Sequence, residues 1–173
     1  DETKLVLAKV AKPITATGGS NELIIGEANQ AAADLVITEV AKGMFHGNPT
    51  IMDNDNTDKT AAATTSNNTG YIVIDAPSGV IFADKPTVTV DGNLKLDSED
   101  IDLINSDNQL RIRVKTASTE ASKITVSGIK LTVDRTVPVG DLSLAITGTA
   151  IDRVSEDNED AVVKAVVGKV VTP

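Results

Sequence analysis

The chain contains no cysteine and no tryptophan, and only one histidine (His46), one tyrosine and two phenylalanines. Without cysteine there is no disulfide, no thiolate nucleophile and no cysteine-based zinc or iron–sulfur site. A single histidine excludes a multi-histidine metal centre and leaves little for serine-type catalysis, which needs an imidazole base. His46 stands beside Met44 and Phe45, the setting of a boundary residue rather than a ligand. Aromatic residues make up 2% of the chain, so a core must be built from Val, Ile, Leu and Ala. The same scarcity weakens a glycosidase cleft or a carbohydrate platform, because sugar faces stack on aromatic rings. The formal net charge of -9 argues against a nucleic-acid binder, which needs a basic face. No apolar run approaches the roughly 18–20 residues that span a bilayer as a helix.

What is present is a length and a pattern. The 173 residues, 40% of them hydrophobic, suffice for one domain with a real core. Apolar residues recur with period two, the signature of strands. In Gln109 to Thr116, Leu110, Ile112 and Val114 alternate with Arg111, Arg113 and Lys115. Further runs cover Glu22 to Ala28, Asp34 to Val40, Gly70 to Asp75, Gly79 to Ala83, Pro86 to Val90 and Asp141 to Gly148. Lys123 to Arg135 reads as two runs meeting at Gly128. Gly, Asn, Asp and Pro fill most gaps. The expectation is an all-β fold, an antiparallel two-sheet β-sandwich or jelly roll, with a long polar insertion loop over residues 47–69. Single helical turns are expected at most around Asn29 to Asp34 and Ala61 to Ala63.

Three acidic clusters are candidate cation sites, since Ca²⁺ takes six to eight oxygen ligands. Asp53, Asp55 and Asp58 lie in the insertion, although Asp58 occupies the EF-hand position of Gly and Thr64 that of Glu. Asp97, Glu99, Asp100 and Asp102 precede the 109–116 run, with a solubilising turn as the plainer reading. Glu156, Asp157, Glu159 and Asp160 precede the last apolar run, where they also serve to discourage aggregation. Asn67 heads the one glycosylation sequon, Asn67-Asn68-Thr69.

The two ends of the chain are apolar on both strand faces: Leu5, Val6, Leu7 and Val10 at the start, Val163, Val166 and Val170 at the end. Such a strand is suited to burial on both sides, either within its own domain or in a second copy of the chain. The expected division is an extended strand over residues 1–12, a donor to a neighbour, and a β-sandwich over 13–173. Pro13, which lacks an N–H, and Gly18-Gly19 mark the hinge. Head-to-tail strand donation without closure produces a homopolymer.

Three phrases carry a family resemblance: DLVITEVAKG (Asp34 to Gly43), IVIDAPSGVIFADKPTVTV (Ile72 to Val90) and ASKITVSGIKLTVDRTVPVGDLSLAITGTA (Ala121 to Ala150). They resemble the β-sandwich repeat modules of bacterial surface proteins that accompany copper amine oxidase N-terminal-like domains. The resemblance implies an exported, cell-surface location after removal of a signal peptide. It implies neither copper nor oxidase activity and transfers no catalytic residue. Together these readings point to a non-enzymatic structural subunit of an extracellular filament, tube or surface layer, stabilised by Ca²⁺. The alternative is a calcium-dependent adhesion or carbohydrate-binding module.

Overall fold

The computed structural model describes residues 12–47, 51–52, 58–59, 70–151 and 162–173. The period-two pattern becomes strands β1 (Ile14–Thr17), β2 (Asn21–Ile24), β3 (Gln30–Ala31), β4 (Leu35–Glu39), β5 (Ile51–Met52), β6 (Asp58–Lys59), β7 (Tyr71–Asp75), β8 (Val80–Phe82), β9 (Thr87–Asp91), β10 (Lys95–Ile104), β11 (Gln109–Thr116), β12 (Lys123–Ser127), β13 (Lys130–Val133), β14 (Gly140–Thr147) and β15 (Val163–Val171). The fold is all-β, and no helix occurs among the described residues. The stretch around Asn29, expected to form a helical turn, instead has Asn29 at φ 57° and leads into β3.

The described strands form four sheets rather than two. One has four strands in the order β1-β4-β12-β9, another has six in the order β10-β11-β7-β14-β15-β2, and two smaller sheets are β3-β13-β8 and β5-β6. Nor is the pairing wholly antiparallel: β2 runs parallel to β15, with Asn21 opposite Gly168 and Ile24 opposite Val171. The reason is connectivity. β2 and β15 come from opposite ends of the chain, so no hairpin constrains their relative direction. The two runs that meet at Gly128 part company there, β12 joining the four-stranded sheet and β13 a smaller one. Within residues 47–69, expected as a loop, Ile51–Met52 pairs antiparallel with Asp58–Lys59.

Both large sheets contribute their inner faces to one core. Leu35 and Ile37 of β4 and Ile124 and Val126 of β12 meet Ile72, Ile74, Leu110, Ile112 and Leu144, all fully buried. Phe45 and Phe82 are the largest of the fully buried side chains. The core is otherwise aliphatic, as the composition requires.

Gly168 lies at the centre of β15, between Leu142 and Asn21. A Cβ there would overlap the Leu23 side chain, so the glycine is what lets β2 approach. Just before it, the register of β14 shifts so that Leu142 faces Gly168 and Ser143 faces Val166. That bulge frees the Val166 and Val167 carbonyls to accept from Gly19 and Ala33, at 2.8 Å each. β15 thus ties the segments after β1 and β3 to the six-stranded sheet. Gly168→Ala is expected to destabilise the fold by about 1–3 kcal/mol through overpacking, with Leu23→Val in the same chain recovering part of the loss. Urea unfolding of the single and double variants measures both.

Candidate functional site

Three places on the chain gather polar or unsatisfied groups: the acid-rich β10, a buried carboxylate on β4, and the free edges of the sheets.

Asp97, Ser98, Glu99 and Asp100 are part of strand β10, not of a turn; the turn is Asn105 to Asp107, three residues at positive φ. In the β10–β11 pair, Leu96 faces Val114 and Ile101 faces Ile112, so the four residues between them bulge opposite Arg113 alone. Simple alternation does not hold in such a bulge, and two acids reach the same cation. Arg113 lies 3.9 Å from Asp97 and 3.7 Å from Asp100. Asp100 also pairs with Arg111 at 3.2 Å and accepts from the Tyr71 hydroxyl at 3.0 Å. The Arg111 guanidinium covers the Tyr71 ring at 4.5 Å, a cation–π contact. The charge of Asp97 and Asp100 is therefore met by the arginines of the next strand. Glu99 and Asp102 are exposed. Among the described residues no group of three or more His, Asp or Glu is placed to hold a metal ion. Asp53, Asp55 and Asn67 lie outside the described residues. Asp58 belongs to β6.

The second place went unread in the sequence. Glu39 continues the inner phase of β4 after Leu35 and Ile37 and is only 2% exposed. Its carboxylate accepts from the Phe45 N–H at 3.3 Å, the Ser122 N–H at 3.0 Å and the Ser118 hydroxyl. Ser118 in turn accepts from the Gly43 N–H, and the Ser122 hydroxyl from the Leu94 N–H. One carboxylate thus fixes the loop after β4, the β11–β12 connection and the entry to β10. The period-two phase alone placed an acid on the inner face, which was the available signal. This is a structural role: every named donor is a backbone or hydroxyl group of the fold itself.

The remaining chemistry is equally engaged. The three aromatic residues offer no sugar platform, since Phe45 is 0% and Phe82 1% exposed and Tyr71 is covered by Arg111. Asp75 accepts from Gln109 and from Thr147. A groove of about 370 Å³ beside it, lined by Pro138, Asp141 and Lys164 among others, contains no histidine. The described part of the chain is an all-β domain without a catalytic constellation. None of its helices is long and apolar enough to cross a membrane, there being no helix among the described residues.

The edges differ sharply. β15 is interior, with β14 on one side and β2 on the other. Val163 and Val170, expected at a subunit contact, are 7% and 1% exposed in the core of their own chain, and Val166 is half-buried. A strand paired on both sides satisfies its two-faced apolar pattern internally. The outer edge of β2 is capped by Gln30, whose side-chain amide accepts from Ile24 N–H at 2.6 Å and donates to Ile24 C=O at 2.9 Å. β8 is covered where Phe82 N–H donates to Asp107 C=O. β10 is bulged and charged, and the Lys85 ammonium donates to Ile101 C=O at 3.1 Å. These are recognised protections of an edge against pairing. β9, and the shorter β1 at the opposite edge of the same sheet, have no such cap or bulge. The five residues of β9 pair with β12 without a register shift, and among the described residues no hydrogen bond reaches its open side. The segment of residues 1–11, with Leu5, Val6, Leu7 and Val10, lies outside the described residues.

No protein-family model matches the chain, and no curated protein matches it. Among solved structures, the crystal structure of BslA, a bacterial hydrophobin, is similar at 12% identity and a TM-score of 0.39, over 92% of this chain and 95% of that one. The solution structure of CaCohA2 from Clostridium acetobutylicum is similar at 11% identity and a TM-score of 0.29, over 89% and 91%. At these scores neither likeness identifies a fold family.

Two expectations follow. Glu39→Ala strands three donors in the interior and is expected to cost about 3 kcal/mol, whereas Asp100→Asn, on a partly exposed network, is expected to cost less than about 1 kcal/mol; denaturant unfolding compares them. Asp134 carries a pH signature. The Thr136 hydroxyl, then the Thr136 N–H, donate to its carboxylate and hold it below its ordinary value. A lowered carboxyl contributes stability above its unfolded pKa, roughly 3.9, and loses it as pH falls through the folded value. The stability gap between the parent and Asp134→Ala is therefore expected to be full near neutrality and to narrow below about pH 4, read from unfolding midpoints across that range.

Proposed function

We propose that this chain is a non-enzymatic structural subunit of an extracellular assembly, joined to further copies by an exchanged β-strand. The observation that supports it best is the contrast between edges. Among the described residues β2 is capped and β10 is bulged and charged, and the regular edges without such protection are β9 and the shorter β1, which follows residues 1–11 in the sequence. An open, regular edge recruits another strand. The chain also supplies one: Leu5, Leu7, Val6 and Val10 alternate in the segment that precedes β1, and the C-terminal run, the other candidate, is already used inside the domain. At about 1.5–3 kcal/mol per large apolar side chain buried, the residues of one strand face, Leu5 and Leu7, together with backbone pairing to the edge, offset the cost of ordering the segment. A carbohydrate-binding reading is not favoured, because both phenylalanines are buried and the one tyrosine ring is engaged by Arg111.

The location at the cell surface belongs to the same proposal and draws on the resemblance of the 34–43, 72–90 and 121–150 phrases to bacterial surface modules. Calcium enters through Asp53, Asp55 and Asp58, since Asp97 and Asp100 are engaged by arginine.

Purified protein examined by electron microscopy and light scattering, in chelator and in millimolar calcium, is expected to form polymers in at least one of the two conditions. A monomer at high concentration in both contradicts the assembly. A calcium-dependent unfolding midpoint, abolished by replacing Asp53, Asp55 and Asp58 with Asn, supports the metal by linkage; an unchanged midpoint removes it.

A further inference from the structure

We infer that the acceptor for the exchanged strand is the open side of the domain between β9 and β10, and that its occupant is the segment of residues 1–11 of a second copy. This rests on the assembly reading above and names the site through which it operates.

β9 is an edge of the four-stranded sheet and β10 an edge of the six-stranded one. Residues 92–94 link them, so the two edges lie on the same side of the core. Gly92 at φ 121° makes this sharp transfer, and a Cβ there would overlap Ser122. At the other end, Lys85 reaches from just before β9 to Ile101 of β10. Between these ties the core is incompletely covered. Val88 and Val90 point inward from β9, opposite Val126 and Ile124. Leu96, Ile101 and Leu103 point inward from β10, opposite Val114, Ile112 and Leu110. The five inner partners are fully buried, while the five edge residues are only half-buried. Two facing edges therefore share one row of aliphatic side chains that still meets water. One more strand laid against β9 covers that row and pairs the free backbone groups. β10 does not take the strand, because its bulge and the Lys85 cap interrupt the ladder.

The occupant follows from where the chain enters. Residue 12 leads into β1, the opposite edge of the same sheet from β9. Three strand spacings, roughly 14 Å, separate the two, and β4 and β12 lie between. To fill its own β9 edge, the segment would have to double back across the sheet. In a neighbour it need only continue outward. Donor on one edge and acceptor on the other is a heterologous contact, which propagates head to tail instead of closing.

The test uses the full chain and two variants. Val88→Lys places an inward charge on the acceptor, and Leu5→Asp/Leu7→Asp places charges on the donor. The parent is expected to polymerise, each variant to remain a folded monomer, and their mixture to give one-to-one dimers that grow no further, all read by light scattering. If Val88→Lys polymerises as the parent does, or the mixture yields no dimer, the acceptor is overturned while the assembly reading survives. A parent that stops at closed dimers overturns the head-to-tail geometry, and a parent that stays monomeric overturns the assembly reading itself. Should Val88→Lys fail to fold, Thr89→Cys supplies a unique thiol on the exposed face of β9 for a photo-cross-linker. Cross-links in the polymer to residues 1–11 of another copy support the inference. Cross-links elsewhere, or none, overturn it.

Discussion

The fold depends on the placement of its C-terminal strand. β15 is paired on both sides, antiparallel to β14 and parallel to β2, and its bulge accepts hydrogen bonds from Gly19 and Ala33. It therefore joins β2 to the six-stranded sheet and anchors the segments after β1 and β3 in a single element. Gly168 makes this possible by removing the one side chain that would hold β2 away. Because the β2–β15 contacts join residues far apart in sequence, forming them carries a loop-closure cost. They also place Val163 and Val170 in the core of their own chain, with Val166 half-buried.

With β15 turned inward, the described residues leave the side between β9 and β10 less covered than the rest of the core. A core of Val, Ile and Leu with only two aromatic rings, Phe45 and Phe82, is covered mainly by strands rather than by bulky side chains. Where the strands stop, at β9 and β10, the aliphatic row stops being fully buried. The polar network on the outer face works in the opposite sense. Arg111, Arg113, Asp97, Asp100 and Tyr71 pair with one another, leaving the buried Arg111 Nε without a partner, and Gln30 and Lys85 cap neighbouring edges. In the proposed assembly, the contrast between guarded and unguarded edges sets the direction in which copies add.

Much of the strand content was legible because an alternating strand with one wet face writes its period directly into the sequence. Gln109 to Thr116 coincides with β11, and the turn at Gly128 separates β12 from β13. β10 was not legible, because its bulge breaks the alternation and its acids imitate a turn. β1 was not legible either, since Ile14–Thr17 is four residues between Pro13 and Gly18 and reads as a hinge. The parallel pairing of β2 and the division into four sheets depend on contacts between distant segments, which periodicity does not encode. Within the candidate site, the acids at 97 and 100 were visible as residues, but their partners were not, because pairing with Arg113 follows from a register shift. Glu39 was hidden for the reverse reason: an acid in the inner phase contradicts the pattern that identifies the strand.

The central claim is that β9 is an unpaired edge that becomes paired when copies of the chain join. Amide hydrogen exchange reads that edge directly, comparing assembled with unassembled protein. The account predicts that amides within residues 87–91 gain strong protection on assembly, as inward members of a ladder do, while those of β15 are protected in both states. Equal exchange at residues 87–91 in the two states would contradict it.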